Sequence, residues 1–190
     1  AHPDRSFFFT NTLLIIKLQK VGTTIMGIFN KTSPDEKKRR EVMNYSIRKI
    51  GQSLFKLMPR TVTAVTYSAV KRGNKWDQKV NMYMTKDLAH EKPIQEKEFE
   101  KRFNISADQI KAFYEDSQAS IDYALRNLPD SAIFNYLLIT ITYDGYIQWR
   151  YGYSTPKNVN GLTGKPLIGL DKKPIAYDGE NIGVIGGSTL

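Results

Sequence analysis

The sequence contains two histidines, His2 and His90, and either could in principle act as a general base or a metal ligand. His90 opens the stretch "HEKPI", which lacks the second histidine that zinc proteases place four residues further along the same helical face. A serine triad needs a histidine base, and no G-x-S-x-G stretch supplies its nucleophile. Because the chain has no cysteine, thiolate metal sites, disulfides and cysteine nucleophiles are excluded. We interpret His90 as an exposed surface residue.

Carboxylates cluster at residues 96–100 and 115–116, and paired carboxylates can cleave glycosidic bonds. Lysine and arginine stand among them, so we interpret both clusters as solvated charged faces. The stretch "GLTGKP" at residues 161–166 is glycine-rich like a phosphate-binding loop, but its spacing differs and Pro166 replaces the magnesium-binding serine or threonine. The sequence therefore predicts no catalytic set, no metal site and no cofactor, and we expect a protein that is not an enzyme.

Aromatic residues are concentrated in "ITYDGYIQWRYGY", residues 141–153, where five of the thirteen positions are aromatic. The Asp144-Gly145 pair is a strong signal for a two-residue hairpin turn, whose residues both need φ > 0. Such a turn pairs Tyr143 with Tyr146, and this register decides which side chains share a face of the sheet. It places Leu137, Ile139 and Ile141 beside Gln148 and Arg150 on one face. On the other face it places Tyr136, Thr140, Thr142, Ile147, Trp149, Tyr151 and Tyr153.

Two amphipathic helices are predicted to position these strands. The first spans residues 35–58, starts after Ser33-Pro34 and ends before Pro59. The second begins at Ser106, which forms a capping box with Gln109, and ends at Pro129. Apolar residues at helical spacing form one buried stripe on each helix: Met43, Ile47, Ile50, Leu54 and Leu57 on the first, and Ile110, Phe113, Tyr114, Ile121, Leu125 and Leu128 on the second.

A first hairpin lies between the helices, with strands at residues 61–70 and 76–84. Gly73-Asn74 gives a two-residue turn that pairs Arg72 with Lys75. The element order α-ββ-α-ββ predicts an α+β fold, with an antiparallel sheet of two hairpins and helices packed on one face. The predicted core face of the sheet carries Val65, Tyr67, Trp76, Val80, Met82 and Met84, continued by Leu137, Ile139 and Ile141.

The predicted domain covers residues 26–155. Residues 1–25 are interpreted as an extension or upstream segment, because "MGIFNK" from Met26 reads like a natural start; an alternative is a weak secretion signal in the apolar stretch 7–16. Residues 156–190, rich in glycine and proline, are interpreted as a loop-like C-terminal tail.

The net charge of +9 is uneven, because residues 31–60 carry +6 and residues 91–130 carry −3. A basic chain invites a nucleic-acid hypothesis, although no single motif supports it. The basic run at residues 37–40 is interpreted as a solvated helix start, with contact to an acidic partner as the alternative.

The stretches "LFKLMPRTVTAVTYSAV" and "LLITITYDGYIQWRYGY", separated by a hairpin strand and a long helix, together resemble the YezG-like immunity proteins of bacteria. The similarity covers roughly residues 40–153. It implies a cytoplasmic antitoxin that binds a secreted toxin domain tightly, without cofactor or turnover. Immunity proteins against basic nucleases tend to be acidic, since complementary charge speeds capture, so this basic chain fits an acidic toxin domain better.

The resulting hypothesis is a non-enzymatic immunity protein whose partner is a toxin domain, with no membrane association. Its partner-binding face is expected to expose aromatic residues, which dominate the energy of protein interfaces. The alternative is a single-stranded nucleic-acid-binding protein that uses the same face. A further alternative is that the C-terminal tail folds back and buries this face. The predicted partner-binding residues are Asn81, Tyr83, Tyr136, Thr140, Thr142, Trp149, Tyr151 and Tyr153.

Overall fold

The computed structural model of the chain describes residues 33–129, 133–152, 163–175 and 184–190. The predicted extension at residues 1–25 lies outside these ranges, as does Tyr153. The described residues all belong to one compact unit, Thr32–Leu190.

Both predicted long helices form, and each starts where its capping residue is. Helix α1 (Pro34–Leu57) follows Ser33, whose hydroxyl accepts a hydrogen bond from the Glu36 amide at 3.2 Å. Helix α3 (Ala107–Asn127) follows Ser106, which exchanges hydrogen bonds with Gln109 at 2.8 and 3.2 Å in a capping box. The charged connection between the first hairpin and α3 contains a short strand, a 3-10 turn and a short helix: β3 (Ile94–Gln95), Glu96–Glu98 and α2 (Phe99–Phe103).

The described strands form a six-stranded antiparallel sheet in the order β3-β2-β1-β4-β5-β6. The α+β fold class is therefore confirmed. Besides β3, the strands are β1 (Ala64–Arg72), β2 (Lys75–Tyr83), β4 (Tyr136–Thr142), β5 (Tyr146–Gly152) and β6 (Val184–Thr189).

One face of the sheet, here called the helix face, packs against α1 and α3. The predicted stripes of the two helices form one core with this face, and its central strand positions are almost fully buried. Met84 was expected in this core, but it lies beyond the end of β2 and its side chain is 41% exposed. The confirmed sheet residues of the core are Val65, Tyr67, Val80, Met82, Leu137, Ile139 and Ile141.

The opposite face, here called the strap face, is crossed by residues 163–175, which we call the strap. Leu167 packs with Val70, Tyr136 and Leu138, and its amide donates to the Thr140 hydroxyl at 2.8 Å. Further along, Leu170 and Ile175 pack against a second small cluster made by Ala64, Tyr83 and Leu88.

The prediction of a loop-like tail over residues 156–190 is therefore wrong for the described part of it. Residues 163–175 cover the sheet, and β6 extends the sheet beside β5. Glycine content suggested a tail, but two of these glycines lie close to aromatic side chains of β5. A Cβ at Gly186 would lie 2.4 Å from the Trp149 ring, and one at Gly187 would lie 2.7 Å from the Tyr146 hydroxyl.

Candidate functional site

The predicted partner-binding face is divided between two sides of the sheet. The first hairpin has the predicted register, with Arg72 opposite Lys75. The second does not, because Ile141 pairs with Ile147 and not with Gln148. A shift of one residue turns every side chain of a strand to the other face.

Trp149 and Tyr151 consequently lie on the helix face, which corrects their predicted outward orientation. Tyr151 is 3% exposed and meets the Phe134 ring edge-on at a centroid distance of 6.2 Å. Trp149 is partly buried against the same core. Neither ring belongs to an open aromatic platform.

The remaining predicted residues do share the strap face, but they are buried there. The Gly164 carbonyl accepts hydrogen bonds from the Thr66 hydroxyl at 3.1 Å, from the Asn81 amide at 3.3 Å and from the Tyr83 hydroxyl. The polar groups of this face therefore bind the chain's own strap. The predicted residues that contact the strap are each at most 1% exposed: Asn81, Tyr83, Tyr136 and Thr140. Thr142 is also 1% exposed, and its hydroxyl donates to the Asp144 carboxylate of the β4–β5 turn.

This burial makes the expectation of an exposed aromatic sheet face wrong and agrees with the alternative in which the tail covers it. The same finding removes the surface on which the nucleic-acid alternative depended.

A carboxylate and a phenol meet at the outer edge of β2, beside a cavity of about 410 Å³ between the 3-10 turn and α3. The Tyr114 hydroxyl donates to Glu96, and the Val80 amide donates to the same carboxylate oxygen at 2.9 Å. Burial, followed by the neighbouring Glu96 carboxylate, raises the pKa of Tyr114 far above its ordinary value. A phenol with so high a pKa stays protonated at neutral pH, so it is a weak proton donor and supplies no phenolate base.

The Glu96–Tyr114 pair has a structural explanation. Strand β3 pairs with Asn81 and Met82, so among the described residues the amide of Val80 has no strand partner on that side. An unpaired edge amide attracts other strands, and a side-chain acceptor satisfies it. The pair thus closes the sheet edge where β3 ends.

Metal chemistry has no support in the part of the chain that the structure describes. There, no three histidine, cysteine, aspartate or glutamate side chains come together in a group that could hold an ion. The predicted surface histidine, His90, is exposed and lies 3.0 Å from the Asp87 carboxylate.

An exposed aromatic pair lies on the outer side of the two long helices. Tyr45 of α1 and Tyr123 of α3 are 52% and 40% exposed, and their ring centroids are 5.1 Å apart at an interplanar angle of 53°. The Lys49 ammonium lies 5.8 Å from the Tyr45 ring centroid, within range of a cation–π interaction. Two large rings exposed side by side are unusual on a surface that only faces water.

Cations line the α1 side of this aromatic pair. Lys38, Lys49 and Lys56 are exposed and lie seven residues before, four after and eleven after Tyr45. These spacings are close to whole helical turns, so the three lysines and Tyr45 follow one stripe. None of the three ammonium groups is within 4.0 Å of a carboxylate of the described residues.

The two helices leave a groove between them on this outer side. A hollow of about 350 Å³ lies in this groove, further along the helices from the tyrosines. Phe113 and Leu57 contribute apolar surface, while Ser53 and Ala112 are small enough to leave the hollow open. Lys56 stands on its α1 side and Asp116 on its α3 side. The remaining lining residue is Gln109.

We call the whole region the α1–α3 surface: Lys38, Tyr45, Lys49 and Lys56 on α1, Tyr123 on α3, and the hollow. Sequence reasoning did not select it. A signal was present, because Tyr45 and Tyr123 both fall outside the apolar stripes of their helices. A large aromatic residue on the polar side of an amphipathic helix is not explained by the core.

No family model matches the chain, and no curated protein matches it either. The resemblance to YezG-like immunity proteins thus stays a prediction from the quoted stretches. Within the described residues, no helix is both long and apolar enough to cross a bilayer.

Proposed function

We propose that the protein is a non-enzymatic binding protein, and that it acts as a cytoplasmic immunity protein by holding an acidic toxin domain on its α1–α3 surface. The observation that carries this proposal is the Tyr45–Tyr123 pair, 52% and 40% exposed and flanked by lysines that form no ion pair with the described residues. Tyrosine is enriched at the centres of protein interfaces, and charged residues such as these lysines suit the polar rim around such a centre.

The rigidity of the surface supports the proposal. Both tyrosines project from long helices whose inner sides form the core, so their backbones are fixed before any partner arrives. A preformed surface loses little conformational entropy on binding, which favours the tight, turnover-free capture that inhibition requires.

The sign of the charge favours an acidic partner. Helix α1 carries seven basic and three acidic residues, and the chain as a whole carries +9. Complementary charge steers the encounter of two proteins and raises their association rate. The immunity assignment itself comes from the resemblance, and the acidic partner follows from the charge of the exposed lysines.

The test is to co-express the chain in a bacterial host with a toxin domain encoded next to its gene and to follow growth. We expect the unaltered chain to restore growth, and the double variant Tyr45→Ala/Tyr123→Ala to lose that protection. In the purified pair, the same variant is expected to weaken binding at least tenfold, about 1.4 kcal/mol.

Tyr143→Ala is the matched control, because Tyr143 is a 62% exposed tyrosine on the β4–β5 turn, outside the α1–α3 surface. Equal loss of protection in both variants would assign the interface elsewhere. Failure of the unaltered chain to protect against any adjacent toxin domain would remove the immunity assignment.

A further inference from the structure

We infer that the groove of the α1–α3 surface is a docking site for an amphipathic helix of the partner, with an acidic flank lying against α1 and an apolar side chain in the hollow. This inference deepens the proposed function and uses the same surface. It goes further by stating the conformation and charge of the segment that binds.

The shape of the groove follows from the direction of the two helices. Tyr45, in the first half of α1, meets Tyr123 in the last third of α3, whereas Ser53 and Ala112 line the hollow at the opposite ends. The helices are therefore antiparallel, and the groove lies between them. The lysine stripe on α1 spans about 27 Å from Lys38 to Lys56, the length of five turns of a bound helix.

The hollow gives that helix an anchor. Its apolar surface comes from Phe113, which is 5% exposed, and from Leu57. An amphipathic helix binds a groove with apolar residues three or four positions apart, and one of these residues would fill the hollow. The tyrosine pair then forms a second apolar contact further along the groove.

The charges on the two walls select the partner's polar flanks. Lys49 and Lys56 stand on the α1 wall without an ion pair among the described residues, and Asp116 stands on the α3 wall. An acidic flank is attracted to the lysines, and the same helix avoids Asp116 by presenting neutral or basic residues there. Specificity of this kind needs repulsion as well as attraction.

Two other occupants are less compatible with these walls. A nucleic-acid strand would meet the lysines, but Asp116 repels phosphate and the apolar hollow gives it nothing to bind. The chain's own residues 1–31 include an apolar stretch, but their net charge of +3 has the same sign as the lysines and does not match the acidic flank.

The experiment uses the full chain and a fluorescently labelled 18-residue peptide. The peptide has leucines at helical spacing, glutamates on one flank and lysines on the other, and binding is followed by fluorescence anisotropy. We expect saturable binding that Lys49→Glu/Lys56→Glu weakens about tenfold or more. The control Arg48→Glu/Lys75→Glu reverses two exposed charges off the stripe and should leave affinity within about twofold.

A second variant tests the anchor without changing charge. Ala112→Trp should fill the hollow and lower the affinity for the peptide about tenfold. Ala89→Trp, in the loop after β2, should leave the affinity unchanged. Circular dichroism spectra matching the unaltered chain establish that each variant is folded. A version of the peptide with its glutamates replaced by lysine is expected not to bind.

Several outcomes overturn the inference. One is the absence of binding at about 1 mM peptide. Another is equal affinity for the peptide whose glutamates are replaced by lysine. The third is an equal loss of peptide affinity in Ala112→Trp and Ala89→Trp. If a 20-nucleotide oligothymidylate binds the same surface more tightly than the peptide does, the ligand of the groove is a nucleic acid and not a helix. If the peptide binds but no toxin is neutralised, the groove stands and the immunity assignment fails. If Ala112→Trp and Lys49→Glu/Lys56→Glu still neutralise the toxin, the groove is not the docking site, and the immunity assignment is unaffected.

Discussion

The ring of Trp149 lies directly on the backbone of Gly186, its neighbour across the β5–β6 ladder. A Cβ built at Gly186 would be 2.4, 2.5 and 2.7 Å from three atoms of the indole. The ring also packs against the core of the helix face. A residue that the sequence placed on an outer binding face is thus part of the seam between the sheet and its last strand.

Trp149→Ala is accordingly expected to destabilise the fold. We expect a loss of about 2–3 kcal/mol in the free energy of unfolding, somewhat below the value for a fully buried aromatic residue. Urea denaturation measures it. Tyr143→Ala, on the exposed turn of the same hairpin, should change stability by no more than about 0.5 kcal/mol. Similar values for the two variants would contradict the position of the indole.

Gly186→Ala tests the same contact from the other strand. The three atoms nearest to the added methyl group all belong to Trp149. The substitution should therefore lower the free energy of unfolding by about 1–3 kcal/mol through overpacking. In a Trp149→Ala background the clash is gone, and the substitution should become neutral or slightly stabilising, since alanine restricts the unfolded chain. A double-mutant cycle by urea unfolding gives the coupling energy. Additive effects would show that the methyl group meets something else.

The register of this hairpin shows what sequence reasoning could and could not predict. Asp144-Gly145 marks the turn correctly, but the pair suits both a two-residue turn and a three-residue loop that ends in a glycine of positive φ. The structure has the longer loop: Gly145 has φ 78°, and its amide donates to the Thr142 carbonyl at 2.9 Å. Turn composition alone does not distinguish these loops.

The strand itself carried the missing information. Apolar and polar residues alternate along β5, with Ile147 and Trp149 on one face and Gln148 and Arg150 on the other. The two-residue turn put Gln148 and Arg150 into the core, a cost that the three-residue loop avoids. Gly73-Asn74 gave no such conflict, which is why the first hairpin was predicted correctly.

The strap could not be predicted by local pattern. Its contacts join residues far apart in the chain, such as Gly164 with Thr66 and Leu167 with Thr140. Helix caps and stripes depend on neighbours three or four positions away and were therefore predictable. Burial of the strap face depended on where a glycine-rich segment returns, which composition does not specify.

Leu167→Ala tests whether the strap is an integral part of the fold. Its side chain is 3% exposed and packs with Val70, Tyr136 and Leu138, so its truncation should cost about 2–4 kcal/mol. Lys173→Ala is the control in the same strap, because the Lys173 side chain is 83% exposed in its ion pair with Asp171 and should change stability by less than about 0.5 kcal/mol. Equal stability of the two variants in urea would mean that the strap contributes nothing to the fold.

Acid should weaken the contact between the strap and the β4–β5 turn. The Lys172 ammonium, 2.9 Å from Asp144, and then the Thr142 hydroxyl lower the pKa of the Asp144 carboxyl to about 2. A carboxyl whose pKa is lower in the folded state adds stability above its unfolded pKa of about 4, and that stability is lost as pH falls toward 2. Asp144→Asn should therefore show a smaller loss of stability between pH 5 and pH 2 than the unaltered chain.

The carboxyl titration can be followed directly by NMR. Lys172→Ala should move the Asp144 midpoint upward toward 4, whereas Lys173→Ala, one position along, should leave it in place because Lys173 pairs with Asp171. Parallel pH curves for the unaltered chain and Asp144→Asn, together with an unmoved midpoint in Lys172→Ala, would show that this ion pair does not form in solution.

A surface kept for binding should be nearly dispensable for folding, and this separates the Tyr45–Tyr123 pair from the core tyrosines. Tyr45→Ala and Tyr123→Ala should each cost no more than about 1 kcal/mol, with a coupling of about 0.5–1 kcal/mol from the ring contact at 5.1 Å. Tyr67→Ala should cost several times more, because Tyr67 is 1% exposed, donates to Gln78 at 2.6 Å and meets Phe113 edge-on. Thermal and urea unfolding of the three variants provide the comparison. A loss above about 3 kcal/mol in Tyr45→Ala would make the pair a structural clamp between α1 and α3, and the case for a partner on this surface would then lose its main observation.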